Sequence, residues 1–298
     1  MYHIPILAQK IVEMLGVNSD GLYLDCTLGG GGHSQAILDA GGRVVAIDRD
    51  SDAIEYCKAH VSGDITYIKG KYENAVELLK ANGITSVSGA VMDLGVSSHQ
   101  LDEAERGFSY MHDGKLDMRM DRDQDFSAYD VVNGYSADEL ADILRRYGEE
   151  SFAHRIATAI VKQRAAKPIE STLELAELIR ASVPYRKSGH PAKKTFQAIR
   201  IEVNGELKGL YEAIIGIFSL IERGGRLCVL SFHSLEDRIV KAAFTEFATD
   251  CICSKRIPVC VCNHRAIGKT VLKVKPSAQE QQLNPRSTSA TLRVSEKL

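Results

Sequence analysis

Asp25-Cys26-Thr27-Leu28-Gly29-Gly30-Gly31-Gly32-His33 decides the fold, together with Asp48 at the end of Val44-Val45-Ala46-Ile47. An apolar run, a glycine loop, a helical segment, a second apolar run and an acid form the opening half of a nucleotide-binding α/β domain. The glycines let the backbone come close to a ligand, and one takes a positive φ at the turn. Asp48 is placed to accept hydrogen bonds from a ribose. A dinucleotide site wants G-x-G-x-x-G; Gly29 and Gly31 fit the first two places, but Ser34 stands at the third. No lysine follows the loop in the manner of G-x-x-x-x-G-K-[ST]. A ligand with ribose and adenine but no pyrophosphate needs neither feature, and S-adenosylmethionine is such a ligand. The plainer alternative is a tight turn in an ordinary α/β protein.

Working outward, Leu22–Asp25, Arg43–Asp48, Thr66–Lys69 and Ser88–Leu94 read as strands. Helices over 33–38, 52–60 and 75–80 alternate with them, which predicts a mostly parallel sheet with helices on both faces. The alternation then stops. Ser136-Ala137-Asp138-Glu139 and Ser171-Thr172-Leu173-Glu174 have capping-box spacing, and Pro184 marks the end of the second helix. Apolar spacing predicts one long helix over 201–221, stopped at Gly224-Gly225. Strands over 226–232, 271–275 and 291–294 follow, with a helix starting at Ser234. The expected organisation is a discontinuous domain, 1–104 with 205–298, interrupted by a helical insertion, 105–204, that recognises substrate.

The 298 residues, 44% hydrophobic and 26% charged, are those of a globular protein. No apolar run has the length of a membrane span. The N-terminus has neither the basic start nor the long apolar run of a secretory signal, so a cytoplasmic location is expected. The net charge is −2, but it is unevenly distributed. No acid lies between Glu177 and Glu202, a window holding Arg180, Arg186, Lys187, Lys193, Lys194 and Arg200. None lies between Asp250 and Glu280, where Lys255, Arg256, Arg265, Lys269, Lys273 and Lys275 sit. Either block alone is a solvated face; the two together point towards a phosphate backbone.

Loops after the carboxyl ends of parallel strands form the ligand crevice. Those ends carry Gly29 to His33, Asp48, Tyr72, Asp93 to Gln100, and Ser231 to Ser234. Tyr72 suits an adenine face and Asp93 an adenine amino group, although each also has a bland reading as core ring or helix cap. No G-x-S-x-G or H-E-x-x-H is present. Methyl transfer to an exocyclic base amine, a weak nucleophile, needs oxygen acceptors and an aromatic ring. Asp93, Ser97 and Ser98 offer the acceptors; Phe108 and Tyr110 are candidate rings.

In sequence, His3-Ile4-Pro5-Ile6-Leu7, Asp25 to Ser34, Ala46 to Asp50, Asp93 to Ser98 and Gln100-Leu101-Asp102 continue with Glu105 to Ser109, Leu116 to Asp121 and Tyr147 to Glu150. Thr195 to Ile201, Val203-Asn204, Ser231 to Lys241 and Asn284-Pro285-Arg286 complete the series. So ordered, these motifs resemble the bacterial 16S ribosomal RNA cytosine-N4 methyltransferases of the RsmH (MraW) type over nearly the whole chain. The resemblance implies a class I S-adenosylmethionine-dependent methyltransferase (a Rossmann-like α/β fold) with an inserted helical domain. It implies S-adenosylmethionine held by Gly31, Gly32, His33, Asp48, Tyr72, Asp93 and Gln100. The implied target is the N4 amine of a cytosine in the decoding region of 16S rRNA, within the small ribosomal subunit; family members are often homodimers. Departures are His99, where proline is frequent, and Thr288, where arginine is frequent. The D/N/S-P-P-Y/F signature of other amino-methyltransferases is missing, so no general base transfers from them.

Cys251, Cys253, Cys260 and Cys262 form two C-x-C pairs, with His264 following. They are either free thiols in a loop, the plainer reading, or a zinc site of four thiolates, or of three and the imidazole. Two further functional readings stay open at this level: a methyltransferase for DNA or a small molecule, and a non-catalytic ribosome assembly factor.

Overall fold

The computed structural model describes residues 5–184, 189–254 and 259–298. His3 and Ile4 of the first motif, and Arg186, Lys187, Lys255 and Arg256 of the basic blocks, lie outside the described residues. The chain divides into two units, 1–95 with 207–298, and 96–206. The first boundary precedes the expected 104/105 because Val96, and Leu101 within a short helix over Ser98–Asp102, pack on the helical unit's core.

In the first unit, seven strands are described: β1 (Leu22–Asp25), β2 (Arg43–Asp48), β3 (Ile65–Lys69), β4 (Val87–Asp93), β5 (Ile221–Ser231), β6 (Gly268–Val274) and β7 (Thr291–Lys297). Their order is β3-β2-β1-β4-β5-β7-β6. β1 to β5 pair in parallel, and β7 runs antiparallel to both β5 and β6. This is the strand order of the class I methyltransferase fold. The inner strands are apolar without interruption because both faces are covered. Leu24, Val45, Ile47, Ala90, Met92 and Val229 face one core. Tyr23, Val44, Ala46, Val91, Cys228 and Leu230 face the other. Alternate residues of each strand thus serve opposite layers, as the two-residue period of a strand requires. The sheet order reverses between β1 and β4, so their carboxyl ends open the crevice where a ligand binds in such sheets.

The single helix expected over 201–221 is two helices, Lys193–Asn204 and Leu210–Leu220. Gly205 and Gly209, at φ +61° and +76°, end the first and precede the second in left-handed conformations. The apolar period survives the break, which is why spacing alone reads it as continuous. Gly224-Gly225 is not the helix stop: both residues lie inside β5, beside an irregularity in its pairing with β4.

The second unit contains no named strand among its described residues, only an isolated bridge between Lys115 and Ser171. Its core joins Leu140, Leu144, Ile156, Ile160, Leu175, Ile179 and Phe196 from successive helices. Ser136 and Glu139 form the expected capping box, and Ser171 accepts from the Glu174 N–H. A loop without regular structure is braced by polar contacts. The Arg106 guanidinium donates to the carbonyls of Arg119 and Met120, each at 3.1 Å. The Asn204 side chain accepts from the Met120 N–H and donates to the Met118 carbonyl, both at 2.7 Å.

Candidate nucleotide site

The end of β1 is organised by a buried carboxylate. Asp25 is fully buried; it accepts from the Ser34 hydroxyl at 2.7 Å and from the Thr27 N–H at 3.1 Å. Burial raises its pKa, with His33 and these hydrogen bonds opposing the shift. Ser34 thus has a definite task at the place a dinucleotide site gives to glycine: it ties the first turn of the helix Gly32–Asp39 to the end of β1. Thr27 turns back across the sheet, its hydroxyl accepting from the Asp93 N–H at 2.7 Å.

Between these anchors the glycine loop runs close to the next helix. Gly31 has φ +75°, and a Cβ there would sit 2.5 Å from a Val61 methyl and 2.8 Å from Cys57 Sγ. Both conformation and space therefore demand glycine. At Gly32 a Cβ would meet the Pro5 ring at 2.8 Å. Asp48 fastens the loop to β2: one carboxylate oxygen accepts from the Gly29 N–H at 2.7 Å, the other from the Asp50 N–H at 2.8 Å. Burial pushes its pKa up to about 6 against those two bonds. A carboxylate has about four lone-pair sites, so each oxygen can accept a further donor.

His33 and Asp93 lie together. His33 is 5% exposed, and its Nε2 sits 3.3 Å from Asp93 Oδ2. Burial opposes the charged ring, but Asp93 and Asp25 outweigh it and the imidazole pKa is raised. His33 Nδ1 and Asp93 Oδ1 are buried without a hydrogen-bond partner among the described residues. Buried polar atoms left unpaired are uncommon and costly. Here they cluster at the end of β4, beside the reversal of the sheet. Tyr72 is buried in the core under β2 and β4, with the Arg49 guanidinium 5.5 Å from its ring centroid.

The remaining nominated residues belong to the second unit. Ser97 caps the helix Ser98–Asp102, accepting from the Gln100 N–H at 3.2 Å, while the Gln100 side chain accepts from the Ser97 N–H at 3.1 Å. Ser98 is buried, and Phe108 is 5% exposed within the helical core. Tyr110 stacks on His190 at 4.6 Å and meets the edge of Phe196. In the first unit, His233, just after β5, caps the helix Ser234–Phe247.

The basic blocks look different in space. Arg180 pairs with Glu177, and Arg200 makes a two-pronged pair with Glu206 at 2.8 Å on each oxygen. Lys194 donates to the Glu149 carbonyl, and Lys269 pairs with Glu296. Acids elsewhere in the chain thus match part of the charge of these windows, at Arg180, Arg200 and Lys269. Sequence reading missed the Asp25–Ser34–Thr27 bracing; an aspartate two residues before a threonine at a strand end was its one local signal.

Residues 1–298 match the model of the family described as the MraW methylase family. The chain is 47% identical over 308 residues to the ribosomal RNA small subunit methyltransferase H of Clostridioides difficile, covering 100% of this chain and 99% of that one. It is 48% identical over 305 residues to the protein of that name from Fusobacterium nucleatum, with 100% and 97% covered. A third, from Caldicellulosiruptor bescii, is 48% identical over 304 residues, with 99% of each covered.

Proposed function

This chain belongs to the MraW methylase family, and we propose that it methylates small-subunit ribosomal RNA with S-adenosylmethionine as donor. At finer grain, the acceptor is the N4 amine of a cytosine in the decoding region of 16S rRNA, methylated in the cytoplasm within the small subunit. The observation that carries the donor assignment is the pair of unpaired buried atoms, His33 Nδ1 and Asp93 Oδ1, beside the glycine loop. A nucleoside with an amino group and ring nitrogens offers the partners they lack. Gly31 and Gly32 provide close backbone approach, Asp48 accepts from ribose hydroxyls, and the family resemblance adds Tyr72 and Gln100 to the donor set. Names of the relatives, each a small-subunit rRNA methyltransferase, support the substrate class.

The bound donor supplies an electrophilic methyl group on a sulfonium. Transfer forms a carbon–nitrogen bond and breaks a carbon–sulfur bond, leaving a neutral thioether, and the amine loses one proton. What the chain must do is hold the amine in line and accept its hydrogen bonds as charge develops. Asp93 is the acceptor we assign to this task, with Ser97 and Ser98 as further oxygens and Phe108 as the ring against the base. An already unstacked cytosine is favoured, since extruding a base costs a few kcal/mol.

The test is transfer of labelled methyl from S-adenosylmethionine to small subunits from a strain lacking the enzyme, beside naked 16S rRNA and duplex DNA. Incorporation into subunits or rRNA is expected. Transfer to duplex DNA alone makes the chain a DNA methyltransferase, and no transfer to any acceptor makes it an assembly factor.

A further inference from the structure

The connection between the helix Ser234–Phe247 and β6 contains two Cys-x-Cys pairs that the methyl-transfer reading leaves without a role. The Sγ atoms of Cys251, Cys253, Cys260 and Cys262 all lie within 4.8 Å of one another. Cys251 Sγ is 3.5 Å from that of Cys260 and 3.8 Å from that of Cys262, and the last two are 3.6 Å apart. A disulfide has its sulfurs about 2.05 Å apart, and these four are free thiols. The observed spacing is instead the edge of a metal–thiolate tetrahedron, because zinc–sulfur bonds of about 2.3 Å place the sulfurs about 3.8 Å from one another.

Hydrophobic packing does not explain the convergence. Ile252, Val259 and Val261, the apolar residues among the cysteines, are 67%, 69% and 69% exposed. The four sulfurs converge although Cys251 and Cys260 are themselves exposed and Cys253 and Cys262 only half-buried, so burial does not account for their meeting. In each Cys-x-Cys the middle residue is exposed, Ile252 at 67% and Val261 at 69%, while the two flanking sulfurs join the cluster. The Val261 N–H donates to Cys253 Sγ at 3.4 Å, the kind of outer contact that orients a thiolate ligand.

We propose that Cys251, Cys253, Cys260 and Cys262 bind one zinc ion as four thiolates, in a closed structural site that fixes the approach to β6. Binding replaces four S–H bonds with four zinc–sulfur bonds and releases four protons. With all four positions taken by protein, the ion has no place for substrate and takes no part in methyl transfer.

Full-length, untagged protein purified under reducing conditions without added metal is expected to carry about one zinc per chain by elemental analysis. Exchange for cobalt(II) should give thiolate-to-cobalt charge-transfer absorption with the intense visible bands of a tetrahedral sulfur site. The double variant Cys260→Ser/Cys262→Ser should lose at least about tenfold in zinc content, since half the ligands are gone. The cobalt spectrum is recorded on the unmutated chain, so it decides the matter even if that variant fails to fold. Trace zinc, four freely reacting thiols and no cobalt–thiolate absorption would overturn the site, as would full zinc content in the double variant.

Discussion

Polar residues at the strand ends of the first unit and those of the loop after β4 in the second were nominated on the same chemical grounds, yet the fold treats them differently. In the first unit, Asp93 and His33 keep buried atoms unpaired, and Asp48 retains accepting capacity beyond its two backbone bonds. In the second, Ser97 and Gln100 are bonded to each other's backbone as a helix cap, and Phe108 is packed into a core. On the proposed reading, unmet bonding capacity marks the residues that carry ligand chemistry. Residues whose local bonds are satisfied contribute first to stability, whatever else they do. Substitutions in the two sets should therefore separate activity from folding.

The largest effect is expected at Asp93. Asp93→Asn keeps the shape and removes the charge, so turnover should fall by about 100-fold or more, the range for losing a positioned acid–base or acceptor group. The melting temperature should barely move. Steady-state methyl transfer and a thermal melt together check this, and near-normal turnover would remove Asp93 from the chemistry.

Phe108 is the mirror case. Phe108→Ala removes a buried ring and should cost about 3–5 kcal/mol of unfolding free energy in a denaturant titration. Phe108→Leu, which refills most of the space, should recover most of that stability. If it also recovers turnover, the ring acts through packing; if stability returns and turnover does not, it touches the base.

A third difference is titration. The Asp48 carboxyl has a pKa of about 6 in the fold against an ordinary 3.8, raised by burial. The folded state therefore holds this proton more tightly than the unfolded one. Its contribution to stability is greatest below pH 4 and is lost as pH rises through 6. Ribose hydroxyls donate better to the charged form, so donor affinity should run the opposite way, gaining roughly tenfold from pH 5 to 7, about the value of one charge-assisted hydrogen bond. Calorimetric binding of S-adenosylhomocysteine to wild type and Asp48→Asn checks this, because only the difference between them belongs to Asp48.

The smallest effect is expected at Ser97. Loss of its cap in Ser97→Ala should cost about 1 kcal/mol in stability and leave turnover within a few-fold. A much larger loss of turnover at unchanged stability would move Ser97 into the first class.

The same contrast explains what was legible. The strand–loop–helix–strand–acid order exposed β1, β2 and their crevice, since parallel strands buried on both faces read as apolar runs with polar ends. Capping-box spacing at Ser136 and Ser171 marked two helix starts in the second unit. Tertiary pairing was not legible. Arg200 meets Glu206 only after the helix Lys193–Asn204 ends, so the basic window looked more charged than it is. The break at Gly205 and Gly209 was hidden by an apolar period that continues across it. The motifs around Gly107, Met118–Met120 and Asn204 were legible as resemblance but not as physics. Their task is bracing: a Cβ at Gly107 would lie 2.2 Å from the Lys115 carbonyl oxygen, and Asn204 bonds the backbone of Met118 and Met120.

The most direct measurement of the central claim is nucleoside analysis by mass spectrometry of 16S rRNA from unmodified small subunits after reaction with the purified chain and deuterated-methyl S-adenosylmethionine. The account predicts labelled N4-methylcytidine, confined to one decoding-region fragment and strongly reduced with Asp93→Asn. Labelled C5-methylcytidine, a ribose-methylated nucleoside, or label that persists in full with Asp93→Asn would contradict it.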